Sequence, residues 1–185
     1  MNHINKIWYR GGRHREVTTV YENEWFKIRN RDNYYSLEYC FPQVVILPLV
    51  NNRILMVKVK RPLIDDEPLE LPAGGCCSNE TPKKTARREL KEETGIWINC
   101  LSRFKALTPI SEIPGRSPEL LLSFTVRITP KEFENRGDKE SEIVEIKLMS
   151  YDEIKQAIIS GELYLSSTMA IISRHLFGLE SNKTN

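Results

Sequence analysis

At 185 residues, 40% hydrophobic and 28% charged, the chain is long enough for one domain with a real core and is globular in composition. A net charge of +2 gives no broad field of the kind that gathers nucleic acid, so no nucleic-acid partner is expected. The opening MNHINKIWYRGGRHR has no apolar h-region, and no apolar run approaches the roughly 18 residues of a membrane span, so no membrane partner is expected either.

Residues 1–40 alternate polar and aromatic residues, as in Trp8-Tyr9, Trp25-Phe26 and Tyr34-Tyr35, which predicts short strands and turns. Gln43 to Val50 and Arg53 to Lys60 are two β-rich runs separated by Asn51-Asn52, the pattern of a hairpin buried in a central sheet. Arg61-Pro62 ends the second run, and Leu63 to Pro68 is an acidic loop. Glu70-Leu71-Pro72-Ala73 leads into a Gly74-Gly75 turn. Thr81-Pro82 then opens a helix, Thr as cap and Pro at the first helical position, which runs to Thr94 and stops at Gly95. Trp97 to Ala106, Leu120 to Ile128 and Glu142 to Met149 read as strands. Thr108 to Glu119 is a Pro-rich connection, and Phe133 to Glu140 a polar loop. Asp152 to Ser160 and Ser167 to Phe177 read as helices, followed by a disordered tail over 180–185. The cysteines Cys40, Cys76, Cys77 and Cys100 fit no zinc spacing and read as free thiols in a reducing, cytoplasmic setting.

The segment from Gly74 to Ile96 carries the chemistry. On a helix, residues three and four apart share a face, so Glu89, Glu92 and Glu93 are expected to converge on a small volume beside the glycine turn. Like charges so placed repel, and a cation relieves the repulsion; Mg²⁺ takes six oxygens and suits such a donor set. Leu90 and Ala86 face the core, and Arg88 is placed to pair with Glu80 or Glu92. A solvated acidic helix face is the plain alternative for an isolated ELKEE segment. The glycine turn, Glu80 and Arg88 at fixed offsets argue against it.

That spacing resembles the Nudix box, G-x5-E-x7-R-E-U-x-E-E-x-G-U with U apolar, and every specified position matches. Chance agreement is on the order of one in ten million at average residue usage. The resemblance implies an α/β/α sandwich around a mixed sheet, with 43–179 as the Nudix domain and 1–42 as an N-terminal β extension that pairs with a second subunit in a homodimer. It implies a nucleotide pyrophosphohydrolase that uses Mg²⁺, with Mn²⁺ as an alternative. The implied metal ligands are Glu89, Glu92, Glu93 and the main-chain oxygen of Ala73.

Arg61 with Glu70-Leu71-Pro72-Ala73-Gly74 resembles the signature of ADP-ribose and ADP-sugar pyrophosphatases, although Lys60 departs from it. Pro114-Gly115-Arg116-Ser117-Pro118-Glu119 is similar to a substrate loop of that subfamily. By that likeness Arg61, Glu70, Glu119, Gly74 and Gly75 bind substrate. The catalytic set is Glu93, Arg88 and a loop base, Glu142 first and Glu140 second. The implied substrate is ADP-ribose or a related nucleoside diphosphate sugar. Two alternatives stay open: a nucleoside triphosphate or capped-RNA pyrophosphatase, and a non-catalytic nucleotide-binding sensor. Trp8, Tyr9, Trp25 and Phe26 offer faces for adenine, with core or interface packing as the plain reading. Arg10, Arg13 and Arg15 offer charges for phosphate, with solvation as the plain reading.

Overall fold

The computed structural model describes residues 8–9 and 16–181. Arg10, Arg13, Arg15 and the 182–185 part of the expected tail lie outside the described residues.

The hairpin forms as its sequence predicts. Strand β4 (Gln43–Val50) and strand β5 (Arg53–Val59) are joined by Asn51-Asn52, with Asn51 at φ 53°, a backbone state asparagine tolerates. Strict alternation then sorts their side chains. Val44, Ile46, Leu55 and Val57 enter one apolar cluster; Val45, Leu47, Ile54 and Met56 enter another. A strand buried on both faces must lie in the middle of a layered fold, and it does. Helix α1 (Pro82–Thr94) covers the first face through Ala86 and Leu90. Helices α3 (Tyr151–Ser160) and α4 (Ser166–Ser181) cover the second through Ile154, Ala157, Ile171 and Ile172.

The sheet is mixed. Strand β9 (Leu122–Ile128) lies parallel to β4, and β10 (Ile143–Ser150) antiparallel to β5. Short β6 (Leu69–Glu70) pairs with β5, β7 (Ala73–Gly75) with β4, and β8 (Lys105–Ala106) with β9. Strands β1 (Val17–Glu22), β2 (Phe26–Arg31) and β3 (Tyr34–Tyr39) form a separate antiparallel sheet in the order β1-β2-β3. The α/β fold expected from the sequence is therefore present, with its strand-rich N-terminal region.

Three local expectations need correction. Trp97 to Ala106 is a strand only at β8; before it comes a 3₁₀ turn, Leu101–Arg103. Ile96, Ile98 and Phe104 alternate like strand residues and are fully buried, but among the described residues only Lys105 and Ala106 of this stretch pair with a neighbouring strand. The loop expected from Phe133 begins inside a short helix, α2 (Pro130–Glu134), closed by a capping box between Thr129 and Glu132. Helix α4 continues to Ser181, past the point where the tail was expected to begin.

Candidate active site

Helix α1 is set by its ends. The Thr81 hydroxyl accepts the Lys84 N–H, Pro82 supplies the first turn, and Gly95 at φ 72° donates its N–H to Lys91 O. The helix thereby fixes the directions of its acidic residues. Glu89 and Glu93 point inward and are buried, and Glu92 is half-buried.

Gly74 is a matter of room. A Cβ added there would lie 2.1 Å from the carboxyl carbon of Glu89, so only glycine lets the turn and this carboxylate approach so closely. Gly74→Ala is therefore expected to push Glu89 aside and to lower kcat strongly with little loss of helix content; circular dichroism beside a rate assay tests it. On the far side of the same turn, the Ala73 N–H donates to Glu93 Oε2 at 3.2 Å. The turn and the helix thus hold one carboxylate each way.

Arg88 is the hub of the charge network. It reaches Glu80 at 3.1 Å, Glu89 at 2.8 Å, Glu92 at 2.6 Å and the Gly75 carbonyl at 2.9 Å. Burial opposes its charge, but Glu80, Glu89 and Glu92 outweigh that and raise its pKa. For Glu80, burial raises the pKa, but hydrogen bonds from Arg88 and the Thr85 hydroxyl prevail and leave it below the usual carboxylate range. These contacts make Arg88 an organiser of acids.

Glu89, Glu92 and Glu93 share one side of α1, yet among the described residues no three acidic, histidine or cysteine side chains form a ready-made cation cage. Glu89 and Glu92 are paired with Arg88, and Glu93 accepts the Ala73 N–H. The donor set still suits a hard cation. Burial, then repulsion from Glu92 and Glu140, lifts Glu89 to about 7 against the pull of Arg88. Burial and repulsion from Glu89 lift Glu93 to about 9. Buried carboxylates that resist ionisation in their own company are those a divalent ion would relieve.

A pH dependence follows with a fixed sign. Both folded-state values lie above the ordinary carboxylate value of 4.5. The folded protein therefore holds protons that the unfolded chain releases. The contribution of this pair to stability is complete below 4.5 and is lost as pH rises through about 7 and then about 9. Melting curves in chelator should show this decline, and Glu93→Gln should flatten its upper part.

Segment 137–142 docks on the end of α1. Gly137 N–H donates to Gly95 O and Glu140 N–H to Glu92 O, both at 2.9 Å. The last carbonyls of a helix lack internal partners, and this loop supplies them. Gly95 must stay small here, because a Cβ would lie 2.1 Å from Gly137 O. The docking brings Glu140 beside the helix acids: slight burial first, then Glu92 and Glu142, raise its pKa. Glu142 is exposed, its carbonyl accepts the Lys60 N–H at 3.0 Å, and its charge reaches Arg61 and Glu140.

Arg61 and Glu70 form a two-point pair, both bonds 2.7 Å. Their hydrogen bond keeps Arg61 firmly charged, and Glu93 and Glu142 add to it, so the pair borders the carboxylate group. Glu119 stands apart, in a cavity walled by the N-terminal sheet and the 112–121 segment. Burial, opposed by a backbone hydrogen bond from Tyr39 and reinforced by Glu38, pushes it up to about 8. Trp8 lines this cavity too, whereas Trp25 is exposed on the N-terminal sheet. Gln43 was missed in the sequence: it lines the same cavity and packs under Gly75, where a Cβ would sit 3.2 Å from its Nε2. A lone polar residue opening an otherwise apolar run was the available signal.

Comparison with known proteins agrees with this geometry. The NUDIX domain profile matches residues 41–166. The methanol dehydrogenase activator of Bacillus methanolicus is 30% identical over 130 residues, covering 70% of this chain and 69% of that protein. The ADP-ribose pyrophosphatase of Bacillus subtilis (strain 168) is 31% identical over 116 residues, 63% of this chain and 61% of that protein, so less than two thirds of that relative's length is spanned. A crystal structure of an ADP compounds hydrolase superposes with a TM-score of 0.69 over 91% of this chain and 94% of that one, at 15% identity, a likeness of fold.

Proposed function

The chain belongs to the Nudix family, and on that premise we propose that it hydrolyses the pyrophosphate bond of ADP-ribose or a related nucleoside diphosphate sugar. The products are a nucleoside monophosphate and a sugar phosphate. The observation that carries the reading is the buried Glu89–Glu93 pair pressed against the Gly74 turn, with Arg61–Glu70 on its border. The ADP-ribose pyrophosphatase among the relatives supports the choice of substrate class.

Glu89, Glu92, Glu93 and the main-chain oxygen of Ala73 are the groups that would hold Mg²⁺, or Mn²⁺ in its place. When bound, the metal supplies positive charge against the diphosphate and makes the attacking water more acidic. The rest falls to the chain. Arg61, with donors left over after its bonds to Glu70, pairs with a phosphate oxygen. Arg88 holds Glu89 and Glu92 in place and screens their repulsion. A loop glutamate takes the proton of the attacking water. What favours Glu140 over Glu142 is its backbone tie to Glu92 and its direct repulsion with Glu89 and Glu92. A base must come within hydrogen-bond reach of the proton it removes, and Glu140 is the loop acid anchored on the helix.

We assign 1–42 to an N-terminal unit, 43–179 to the Nudix domain, and a homodimer to the intact protein. Strand β1 is exposed along its length, and Val20, Tyr21, Trp25 and Tyr34 present apolar surface for a second copy. The cytoplasm is the proposed location: Cys40, Cys76, Cys77 and Cys100 are all free thiols. Among the described residues no helix is long and apolar enough to cross a membrane.

The test is product identification. Purified protein with Mg²⁺ is incubated with ADP-ribose, ADP-glucose and GDP-mannose, and the products are resolved by chromatography. AMP with ribose 5-phosphate from the first is expected; failure to release a monophosphate from any of the three rejects the substrate class.

A further inference from the structure

Thr85 lies early in α1 with no exposed surface. Its hydroxyl has three acceptors within reach: Glu80 Oε2 at 2.9 Å, Cys76 Sγ at 3.1 Å and Thr81 O at 3.3 Å. A hydroxyl has one proton to give, and a thiol sulfur is a weak acceptor. Thr81 O already takes the Thr85 N–H at 3.0 Å, so the common back-bond of a helical threonine adds little there. Glu80 carries charge through its pairing with Arg88, and a charged oxygen is the strongest acceptor of the three. The proton therefore goes to Glu80. A lone pair of the Thr85 oxygen is left for the S–H of Cys76, itself buried and pinned by its N–H to Pro42 O at 2.9 Å.

The bond to Glu80 has consequences along the charge network. Glu80 precedes the helix, on a turn closed by its N–H to Cys77 O at 3.0 Å, so helical geometry does not fix its side chain. Its Oε2 takes the Thr85 hydroxyl together with Arg88 Nη2 at 3.1 Å, and its Oε1 takes Arg88 Nε at 3.2 Å. The remaining nitrogen of that guanidinium, Nη1, reaches Glu89 at 2.8 Å and Glu92 at 2.6 Å. A guanidinium is a rigid plane, so an orientation set at Nε and Nη2 is carried to Nη1.

We propose that Thr85 is a positioning residue for the α1 acids: its hydroxyl, backed by Cys76, selects the Glu80 rotamer that turns Arg88 toward Glu89 and Glu92, and so governs uptake of a divalent cation. The inference rests on the metal-dependent hydrolase reading above and deepens it, placing a control on the cation site in a residue outside the donor set.

The experiment compares Thr85→Val, which keeps the shape and loses the hydroxyl, with Thr85→Ser, which keeps the hydroxyl. The first readout needs neither metal nor substrate: hydrogen exchange of the Arg88 Nε–H, followed by NMR in chelated protein. Exchange should be about tenfold faster in Thr85→Val, the worth of one good hydrogen bond, and return to the wild-type rate in Thr85→Ser. The backbone amides of Leu90 and Lys91 should not change, which separates loss of orientation from loss of the helix. Should Thr85→Val loosen those amides too, Thr85→Cys, which fills the site with a poorer donor, takes its place. The second readout is Mn²⁺ affinity in the presence of a non-hydrolysable ADP-ribose analogue, expected to fall about tenfold in Thr85→Val and to recover in Thr85→Ser. Unchanged Arg88 exchange in Thr85→Val, equal behaviour of the Val and Ser variants, or equal Mn²⁺ affinity in all three proteins overturns the assignment. Wild type that takes up no Mn²⁺ removes the metal-dependent reading instead, and the exchange comparison still decides whether Thr85 positions Arg88.

Discussion

Glu93→Gln should lower kcat on the order of 10²–10³-fold or more and leave the fold standing. The carboxyl group is buried, takes the Ala73 N–H, and is lifted to about 9 by its burial first and then by repulsion from Glu89. Its amide isostere keeps size and one acceptor oxygen but loses the charge that a cation needs. The unfolded chain ionises Glu93 at pH 8 whereas the folded metal-free protein resists doing so, and the amide removes that cost, so the metal-free variant should melt at the same temperature as wild type or higher at pH 8. A stabilised, inactive variant separates a catalytic carboxylate from one that merely packs. Steady-state rates and melting curves on the same sample check both halves; a variant with near-normal kcat removes Glu93 from the site.

Glu140→Gln should cost roughly 10²–10⁴ in kcat, the range typical of a positioned general base, while Glu142→Gln should cost far less. Glu140 is held by its own backbone to Glu92 O, so its side chain starts beside the helix acids. Glu142 is exposed, and its charge reaches both Arg61 and Glu140. The pH–rate profile distinguishes a base from a structural acid: the acidic limb of wild type should vanish in Glu140→Gln and persist in Glu142→Gln. The reverse pattern restores Glu142 as the base.

What the sequence disclosed was governed by short-range rules. Thr81, Pro82 and Gly95 mark the ends of α1 because caps and left-handed stops depend on the nearest few residues. Asn51-Asn52 marks the hairpin for the same reason. The inward turn of Glu89 and Glu93 follows from helical period alone. What it hid depends on contacts distant in the chain. Ile96 and Ile98 alternate as a strand would, and no local signal says that a partner strand is missing. The bond from Gly137 to Gly95, which docks the loop and promotes Glu140, links residues far apart in sequence with no side chain to announce it. The pairing of Arg88 with Glu80 and Glu92 was foreseeable from helical spacing, but its bonds to Glu89 and to the Gly75 carbonyl emerge only from geometry. The cavity between the N-terminal sheet and segment 112–121 arises where two such distant pieces meet, which is why Gln43 was overlooked.

The most direct measurement is Mn²⁺ binding, followed by electron paramagnetic resonance in the presence of a non-hydrolysable α,β-methylene analogue of ADP-ribose, on wild type and on Glu93→Gln. Tight Mn²⁺ uptake by wild type that needs the diphosphate analogue and collapses in the variant is the predicted outcome. Equal uptake by both proteins, or none by either, contradicts the assignment of the α1 carboxylates.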